Sequence, residues 1–194
     1  MNMHKTATQT LTLQPRATEW ARNLALVVGA SLFVALCARV TIPLPFTPVP
    51  LTLQNFGVLV VGLTLGSRRG FAALVLYLME GAVGFPVFSP TGLGGVAQLF
   101  GVTGGYLLAY PIVAGLAGWA FERGRKSFVR AAGAAAVAEI LLFAVGISWL
   151  AIFTHSFGLA LRFGLVWFVF AEVLKITAAA AAAVGVRRGN SAQA

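Results

Sequence analysis

The chain has 194 residues, of which 59% are hydrophobic and 10% are charged, and its formal net charge is +9. Soluble domains carry about 25% charged residues, so this composition excludes an ordinary soluble protein and indicates an all-α integral membrane protein. The positive charge does not indicate a nucleic-acid partner, because the basic residues form short clusters between apolar runs.

Six apolar runs follow one another along the chain. Each approaches the roughly 20 residues that a helix needs to cross a bilayer. The runs cover residues 22–42, 51–66, 70–86, 104–121, 131–153 and 163–186. We therefore predict one domain of six transmembrane helices over residues 21–188, with a cytoplasmic N-terminal tail at 1–20 and a short C-terminal tail at 189–194.

The basic residues predict the orientation of these helices. Eleven of the 14 Lys and Arg residues lie before or at the start of the first run, between runs two and three, between runs four and five, or after the last run. Cytoplasmic connectors of membrane proteins carry an excess of Lys and Arg. The sequence thus predicts a multi-pass protein with both termini in the cytoplasm.

Two uncharged connectors on the opposite side are unusual. Residues 41–52, "TIPLPFTPVPLT", contain four prolines, which disfavour regular strand pairing and predict a stiff, extended segment. Residues 84–106 are rich in glycine. Irregular backbone at membrane depth is tolerated where it lines a cavity, so we predict that both connectors fold as lid-like or re-entrant loops over a pocket on the outer face.

Most of the acidic residues lie within predicted helices. All five are glutamates, and Glu80, Glu139 and Glu172 fall inside apolar runs, where carboxylates are costly and mark functional sites. Glu172 and Lys175 are three residues apart and share one helix face. A purely structural ion pair is the alternative, but buried pairs add little net stability, which favours a binding role. For Glu80 and Glu139 a structural role is favoured over proton transfer.

Three further groups of residues are candidates to line the pocket. Adjacent glycines let the backbone approach a ligand, and aromatic side chains can wall it. The alternatives are a tight turn for the glycines, helix capping for the polar residues and an interfacial position for the tyrosine. The candidates are Thr103, Gly104, Gly105 and Tyr106; Thr52, Gln54 and Asn55; and Phe88, Gln98 and Trp167.

The first apolar run carries small residues at four-residue spacing, namely Ala21, Ala25 and Gly29. Small residues at this spacing let helices approach closely. They indicate either packing inside the chain or docking against a partner membrane protein.

Four segments occur in an order that is familiar: "VPLTLQNFGVLVVGLTLG" (49–66), "LYLMEGAVGFPVF" (76–88), "GVTGGYLLAY" (101–110) and "FAEVLK" (170–175). Together they resemble the BioY family, the biotin-binding S components of energy-coupling factor vitamin transporters. The resemblance covers roughly residues 20–186. It implies a six-helix fold with a biotin site near the outer face, covered by loops.

The resemblance also implies partners and a location. The chain would capture biotin with high affinity and carry it across the bacterial cytoplasmic (inner) membrane, together with a transmembrane coupling subunit and two ATPase subunits. The first helix would dock on the coupling subunit through Ala21, Ala25 and Gly29. No cofactor, metal or nucleic acid is implied, and biotin enters as a transported ligand.

Biotin gives the charged pair a chemical role. Lys175 could bind the valerate carboxylate as a point charge, and an ionised Glu172 could accept from the ureido N–H groups, although the opposite assignment is open. The family commonly has Asp where this chain has Glu172, in a segment resembling P-F-x-P-G-D-x-x-K. Here Trp167, Phe170 and Ala171 replace the prolines and the glycine.

Two other functions are alternatives. A stand-alone facilitator or secondary transporter could use Glu80 or Glu139 with protons. A membrane enzyme is disfavoured, because the sequence has no paired His–acid site, no G-x-S-x-G segment and no zinc motif.

Overall fold

The structure is a computed structural model that describes residues 14–191, and the side chains of residues 18–186. This part of the chain is predominantly helical. The helices are α1 (Gln14–Arg39), α2 (Gln54–Leu65), α3 (Ser67–Ala82), α4 (Gly95–Leu99), α5 (Gly104–Glu122), α6 (Phe128–Thr154), α7 (Phe157–Leu161) and α8 (Val169–Ser191). A π-helical turn, Arg162–Val166, connects α7 to α8, and two short strands, β1 (Thr41–Ile42) and β2 (Leu51–Thr52), lie between α1 and α2.

Within the described range, four helices are long and apolar enough to cross a membrane: Thr18–Arg39, Gly104–Glu122, Phe128–Thr154 and Val169–Val186. The helices α2 and α3 have 12 and 16 residues, which is shorter than the roughly 20 residues of a full span. The prediction of six transmembrane helices therefore stays a prediction.

The predicted tails overlap the helices at both ends of the chain. α1 already begins at Gln14 and α8 continues to Ser191, so part of each predicted tail is helical. The remainder of the two tails lies outside the described residues. The sixth apolar run is also divided, because the π-helical turn precedes the start of α8.

The outward faces of the helices are apolar. Leu36 on α1, Ile140 on α6 and Phe170 on α8 expose 69%, 70% and 78% of their surface. Large apolar side chains exposed on several sides of a bundle would be unfavourable in water. They are the expected surface of a protein whose helices are surrounded by lipid.

The helix α5 lies at the centre of the bundle, where it packs against α2, α3 and α6. Glycines allow this close approach. A Cβ atom at Gly62 of α2 would collide with the backbone of Ala114 on α5, and a Cβ at Gly118 of α5 would collide with the backbone at Gly66 and Ser67. Side chains at these positions would separate the helices. α8 packs on α2 and α6.

One end of the bundle carries two basic connectors. The backbone N–H of Ser67, between α2 and α3, donates to Oε1 of Glu122 at the end of α5, 3.1 Å away. Lys126 donates to the carbonyl oxygen of Phe121, 2.7 Å away, at the C-terminus of α5 where a cation is favoured. Two of the basic clusters that the sequence placed on one side therefore lie at the same end.

The proline-rich connector lies at the opposite end and forms a small hairpin. β1 pairs antiparallel with β2, with Thr41 opposite Thr52 and Ile42 opposite Leu51. The prediction of a segment without regular pairing is thus wrong at its two ends, because all four prolines fall between the strands. The glycine-rich connector lies beside the hairpin, since the hydroxyls of Thr41 and Ser89 form a hydrogen bond of 3.1 Å.

Candidate binding site

A cavity of about 270 Å³ lies between the two uncharged connectors and the helices α2, α5, α6 and α8. One water molecule needs roughly 10–15 Å³ of such space, so the cavity has room for a small organic ligand. Its helical wall is largely apolar, with Leu107, Leu142, Phe143 and Phe168 among the lining residues. A few polar groups converge on this apolar wall, which is the composition typical of small-molecule sites.

A charged network on α2 and α8 faces this cavity. Nζ of Lys175 donates to Oε1 of Glu172, 2.8 Å away, and to Oδ1 of Asn55, 2.9 Å away. Nδ2 of Asn55 in turn donates to Oε2 of Glu172. The three side chains form a closed ring, and each is less than a tenth exposed. The α2–α8 contact therefore fixes the ion pair that the sequence predicted.

Lys175 keeps a donor for a ligand. An ammonium group has three donors, and two of them bind Glu172 and Asn55. Among the described residues the third has no hydrogen-bond partner. Because Lys175 lines the cavity, this donor can bind an anionic group there. Glu172 also lines the cavity, and a carboxylate has more acceptor sites than the two already in use.

Glu139 on α6 is hydrogen-bonded to the same network. Nδ2 of Asn55 donates to Oε1 of Glu139, 3.1 Å away. The side chain is only 4% exposed, and its other oxygen, Oε2, has no partner among the described residues. The sequence had suggested a structural role for this residue, with no link to the Glu172–Lys175 pair.

Glu80, the other carboxylate predicted within a helix, lies outside this network. The hydroxyl of Ser31 on α1 donates to its Oε2. A contact between α1 and α3 agrees with the structural interpretation of Glu80.

Two tyrosines of α5 line the cavity one helical turn apart. The hydroxyl of Tyr106 donates to the carbonyl oxygen of Gly164 in the π-helical turn, 3.1 Å away, and its ring packs edge-on against Phe143 with centroids 6.1 Å apart. π-Helical turns are frequent at functional sites. Tyr110 also lines the cavity, and its hydroxyl has no hydrogen-bond partner in the part of the chain that the structure describes.

The polar residues at the start of α2 form hydrogen bonds around the first turn of this helix. The N-cap position is Leu53, and Oγ1 of the preceding Thr52 accepts from the backbone N–H of Gln54, 3.2 Å away. Nε2 of Gln54 donates to the hydroxyl of Tyr77, 2.6 Å away, and that hydroxyl donates to the carbonyl of Val87. Thr52, Gln54 and Asn55 all line the cavity as well.

Eight of the twelve residues predicted to bind ligand line this cavity: Thr52, Gln54, Asn55, Gln98, Thr103, Tyr106, Glu172 and Lys175. They come from both connectors and three helices, so only the tertiary fold brings them together. Gln98 also stabilises its own loop, because its Oε1 accepts from the backbone N–H of Gly94, 3.1 Å away.

Two predicted glycines do not line the cavity. Gly104 and Gly105 begin α5 and are packed against Trp149 of α6, where a Cβ atom would collide with the indole or with the backbone of Leu99. Nε1 of Trp149 also donates to the carbonyl of Gly101, 2.9 Å away. The prediction that these glycines approach the ligand is corrected: they allow close helix packing instead.

Two predicted aromatic residues are also placed elsewhere. Phe88 packs edge-on against Tyr77, with ring centroids 5.4 Å apart, and fills the space over Gly81. Trp167 is 45% exposed and packs against Phe46 with the rings tilted by 48° and their centroids 4.5 Å apart. Neither lines the cavity, so Phe88 is a core residue and Trp167 contacts the proline-rich connector.

Sequence reasoning missed several residues of the wall. A helical spacing of four from Tyr106 would have indicated Tyr110, because residues four apart share a helix face. The apolar lining residues gave no comparable signal, since they look like any other core residue of an apolar helix. The additional lining residues include Ser89, Thr91, Leu107, Tyr110, Leu142, Phe143, Gly164 and Phe168.

The small residues of α1 face outward. Ala21, Ala25 and Gly29 are exposed, and a Cβ atom at Gly29 would meet nothing within 4 Å. The alternative that these residues pack inside the chain is therefore wrong. They form a smooth exposed strip that we call the α1 strip.

Comparison with known protein families matches this chain to the BioY family over residues 3–192. The chain belongs to the BioY family. Biotin transporter BioY2 of Lactococcus lactis subsp. cremoris is 36% identical over 154 residues, which are 79% of this chain and 83% of the relative. Biotin transporter BioY of Thermotoga maritima is 33% identical over 163 residues, which are 84% of this chain and 95% of the relative.

A solved structure has the same fold as this BioY chain. It is the crystal structure of the S-component for biotin from an ECF-type ABC transporter, with a TM-score of 0.81 and 24% sequence identity. The match covers 88% of this chain and 93% of the solved chain. The helical arrangement described above is therefore the fold of an S-component.

Proposed function

We propose that this BioY chain captures biotin as the S component of an energy-coupling factor transporter. The observation that carries the proposal is the buried Lys175–Glu172–Asn55 network, which presents a free ammonium donor to an apolar cavity. Biotin has the matching chemistry, namely an anionic carboxylate, a polar ureido group and an apolar bicycle. The names of the relatives support the same ligand.

The contacts to biotin follow from the chemistry of each group. The ammonium of Lys175 binds the valerate carboxylate, and the carboxylate of Glu172 accepts from a ureido N–H. The bicycle lies against the aromatic wall at Tyr106, Phe143 and Phe168. The reverse orientation, with the ureido group at Lys175, is the competing arrangement.

The first experiment is biotin binding to the purified protein in nanodiscs, with Lys175→Met beside the wild type. Loss of one partner of a buried charged pair costs about 2–5 kcal/mol, so we expect affinity to fall by at least about 30-fold. Lys126→Met, at the opposite end of the bundle, is the matched control and should bind as the wild type does. A folded wild-type protein that binds no biotin would contradict the proposed function.

Binding of biotinamide, which lacks the carboxylate, distinguishes between the two orientations of biotin in the cavity. If the carboxylate meets Lys175, the Lys175→Met substitution weakens biotin binding strongly and biotinamide binding much less. Equal weakening of both ligands would place the ureido group at Lys175 instead.

The proposed topology has six transmembrane helices and both termini in the cytoplasm, with the cavity open to the outside. The two basic connectors at the opposite end of the bundle support it. Cys37, the single cysteine of the chain, is first replaced by alanine. A membrane-impermeant maleimide should then label Pro45→Cys in intact cells of a bacterial host and Arg125→Cys only after permeabilisation. The reverse labelling pattern would show that the chain has the opposite orientation in the membrane.

The proposed partners are a transmembrane coupling subunit and two ATPase subunits. The exposed α1 strip supports this, because small residues let a partner helix approach closely. Cells that lack their own biotin uptake should accumulate biotin rapidly only when the chain is produced together with a coupling module. Equal uptake without the module would favour a stand-alone transporter.

A further inference from the structure

Glu139 is the part of the network that the proposed biotin contacts leave unexplained. It reaches the network from α6, where its Oε1 accepts from Nδ2 of Asn55, 3.1 Å away. Its Oε2 is buried and has no hydrogen-bond partner among the described residues. Buried polar atoms without a partner are rare in proteins and call for an explanation. A carboxylate oxygen with unmet charge is the most costly kind of such atom.

The number of charges in the network gives that explanation. α8 contributes Glu172 and Lys175, and α2 contributes only the amide of Asn55. From α5, the phenol of Tyr110 lines the same cavity. Two ionised carboxylates would therefore face one ammonium group, with one N–H of the Asn55 amide donated to each of them. This arrangement would be net negative within an apolar bundle, where like charges repel strongly.

Binding of an anionic ligand would increase the excess negative charge of the network. If a ligand carboxylate enters the cavity beside Lys175, three carboxylates would surround one ammonium group. One proton on Glu139 removes the excess charge before the ligand arrives. It also converts Oε2 from an unpartnered acceptor into a neutral O–H group, while Oε1 continues to accept from Asn55.

We propose that Glu139 takes up one proton from solution and holds it on Oε2 in the biotin-binding state, so that biotin binding and protonation of Glu139 are linked. Glu139 is then a positioning residue: it anchors Asn55, which orients Lys175 and Glu172, and its neutral form lets an anion bind. This inference rests on the proposed function, because it requires an anionic ligand at Lys175.

The test is the biotin dissociation constant as a function of pH, from just above the titration of biotin's own carboxylate to mildly alkaline conditions. Loss of the proton at higher pH makes the site negative, so the wild-type Kd should rise with pH. For one linked proton the slope approaches about tenfold per pH unit. Glu139→Gln, which keeps an acceptor for Asn55 and stays neutral, should give a flat profile over the same range.

The matched control is Glu80→Gln, which removes a carboxylate within the bundle that binds Ser31 and lies outside the network. It should retain the pH dependence of the wild type. Glu139→Ala removes the acceptor as well as the charge, so it should bind more weakly than Glu139→Gln at every pH. Equal slopes for the wild type and Glu139→Gln would overturn the assignment to Glu139.

A second measurement uses only the wild-type protein and does not depend on folding of a variant. Calorimetric titration with biotin in buffers of different ionisation enthalpy counts the protons taken up on binding. We expect uptake to rise toward one proton as the pH increases. Biotin binding without proton uptake at any pH would refute this inference and leave the proposed function intact, whereas absence of biotin binding at all pH values would refute the proposed function itself.

Discussion

Nζ of Lys175 on α8 donates to Oδ1 of Asn55 on α2, 2.9 Å away, although 120 residues separate them in sequence. Asn55 is therefore the link between the two helices that carry the charged network. The same amide donates to Glu172 and Glu139, so four polar side chains are held in place without a ligand. A site that is already organised loses less conformational entropy when a ligand binds.

Asn55→Ala should weaken biotin binding by about 10-fold or more, because it removes hydrogen bonds to charged partners worth about 1.5–3 kcal/mol each. It should also lower the thermal unfolding temperature in detergent, since buried charged groups lose partners. Binding calorimetry and a thermal unfolding assay measure the two effects. Asn23→Ala on α1, where Oδ1 is buried and has no hydrogen-bond partner among the described residues, is the control. Unchanged biotin affinity in Asn55→Ala would show that Asn55 does not contribute to ligand binding.

Tyr106 and Gly164 should be energetically coupled. A Cβ atom at Gly164 would collide with the Tyr106 hydroxyl, so Gly164→Ala should destabilise the wild type by about 1–3 kcal/mol. Tyr106→Phe removes that hydroxyl and its hydrogen bond, at a cost of about 1 kcal/mol. In the Tyr106→Phe background Gly164→Ala should cost less, which a double-mutant cycle of unfolding free energies measures. Strict additivity would contradict the contact.

Thr47→Val should loosen the proline-rich connector. Oγ1 of Thr47 donates to the carbonyl oxygen of Phe163 in the π-helical turn, 2.8 Å away, and accepts from the backbone N–H of Val49, 3.2 Å away. Valine keeps the shape but removes both bonds. Loss of the bond to Phe163 alone corresponds to about a 2- to 10-fold faster dissociation of biotin, measured by displacement of labelled ligand. Thr177→Val, whose hydroxyl donates within α8 to Val173, should leave the rate unchanged. Equal rates in all three proteins would show that this contact does not retain the ligand.

Gly62→Ala should strongly destabilise the protein. The added Cβ would collide with backbone atoms of Ala114, which cannot move without separating α2 from α5, at a cost of about 3 kcal/mol. Gly133→Ala on α6 is the control, because a Cβ there meets nothing within 4 Å. Thermal unfolding in detergent should distinguish the two variants clearly. A Gly62→Ala protein as stable as Gly133→Ala would mean that the helices are less closely packed than described.

Gly29→Leu should impair biotin transport without impairing biotin capture. The residue is exposed on α1 and does not line the cavity, so biotin binding by the isolated chain should keep its affinity. A large side chain on the α1 strip should prevent close approach of a partner helix and lower module-dependent uptake at least several-fold. Leu36→Ala, elsewhere on α1, is the control. Full uptake by Gly29→Leu would place the partner on another surface.

Several features of this protein could be predicted from its sequence because they depend on local composition. Apolar runs indicate helices in a membrane, and clusters of Arg and Lys indicate which ends lie together. The spacing of Glu172 and Lys175 placed them on one helix face, and the structure joins them at 2.8 Å. Proline and glycine marked both connectors that contribute to the cavity.

The tertiary structure decided what each candidate contacts, since contacts between distant segments depend on helix packing and not on local pattern. It made Gly104 and Gly105 packing residues, because Trp149 occupies the space beside them. It placed Asn55 between Lys175 and two carboxylates. The sequence pattern around a glutamate in an apolar helix does not indicate whether its side chain faces lipid, the core or a binding site. Only the packing of α6 against α8 and α2 therefore shows that Glu139 shares the hydrogen-bond network of the charged pair.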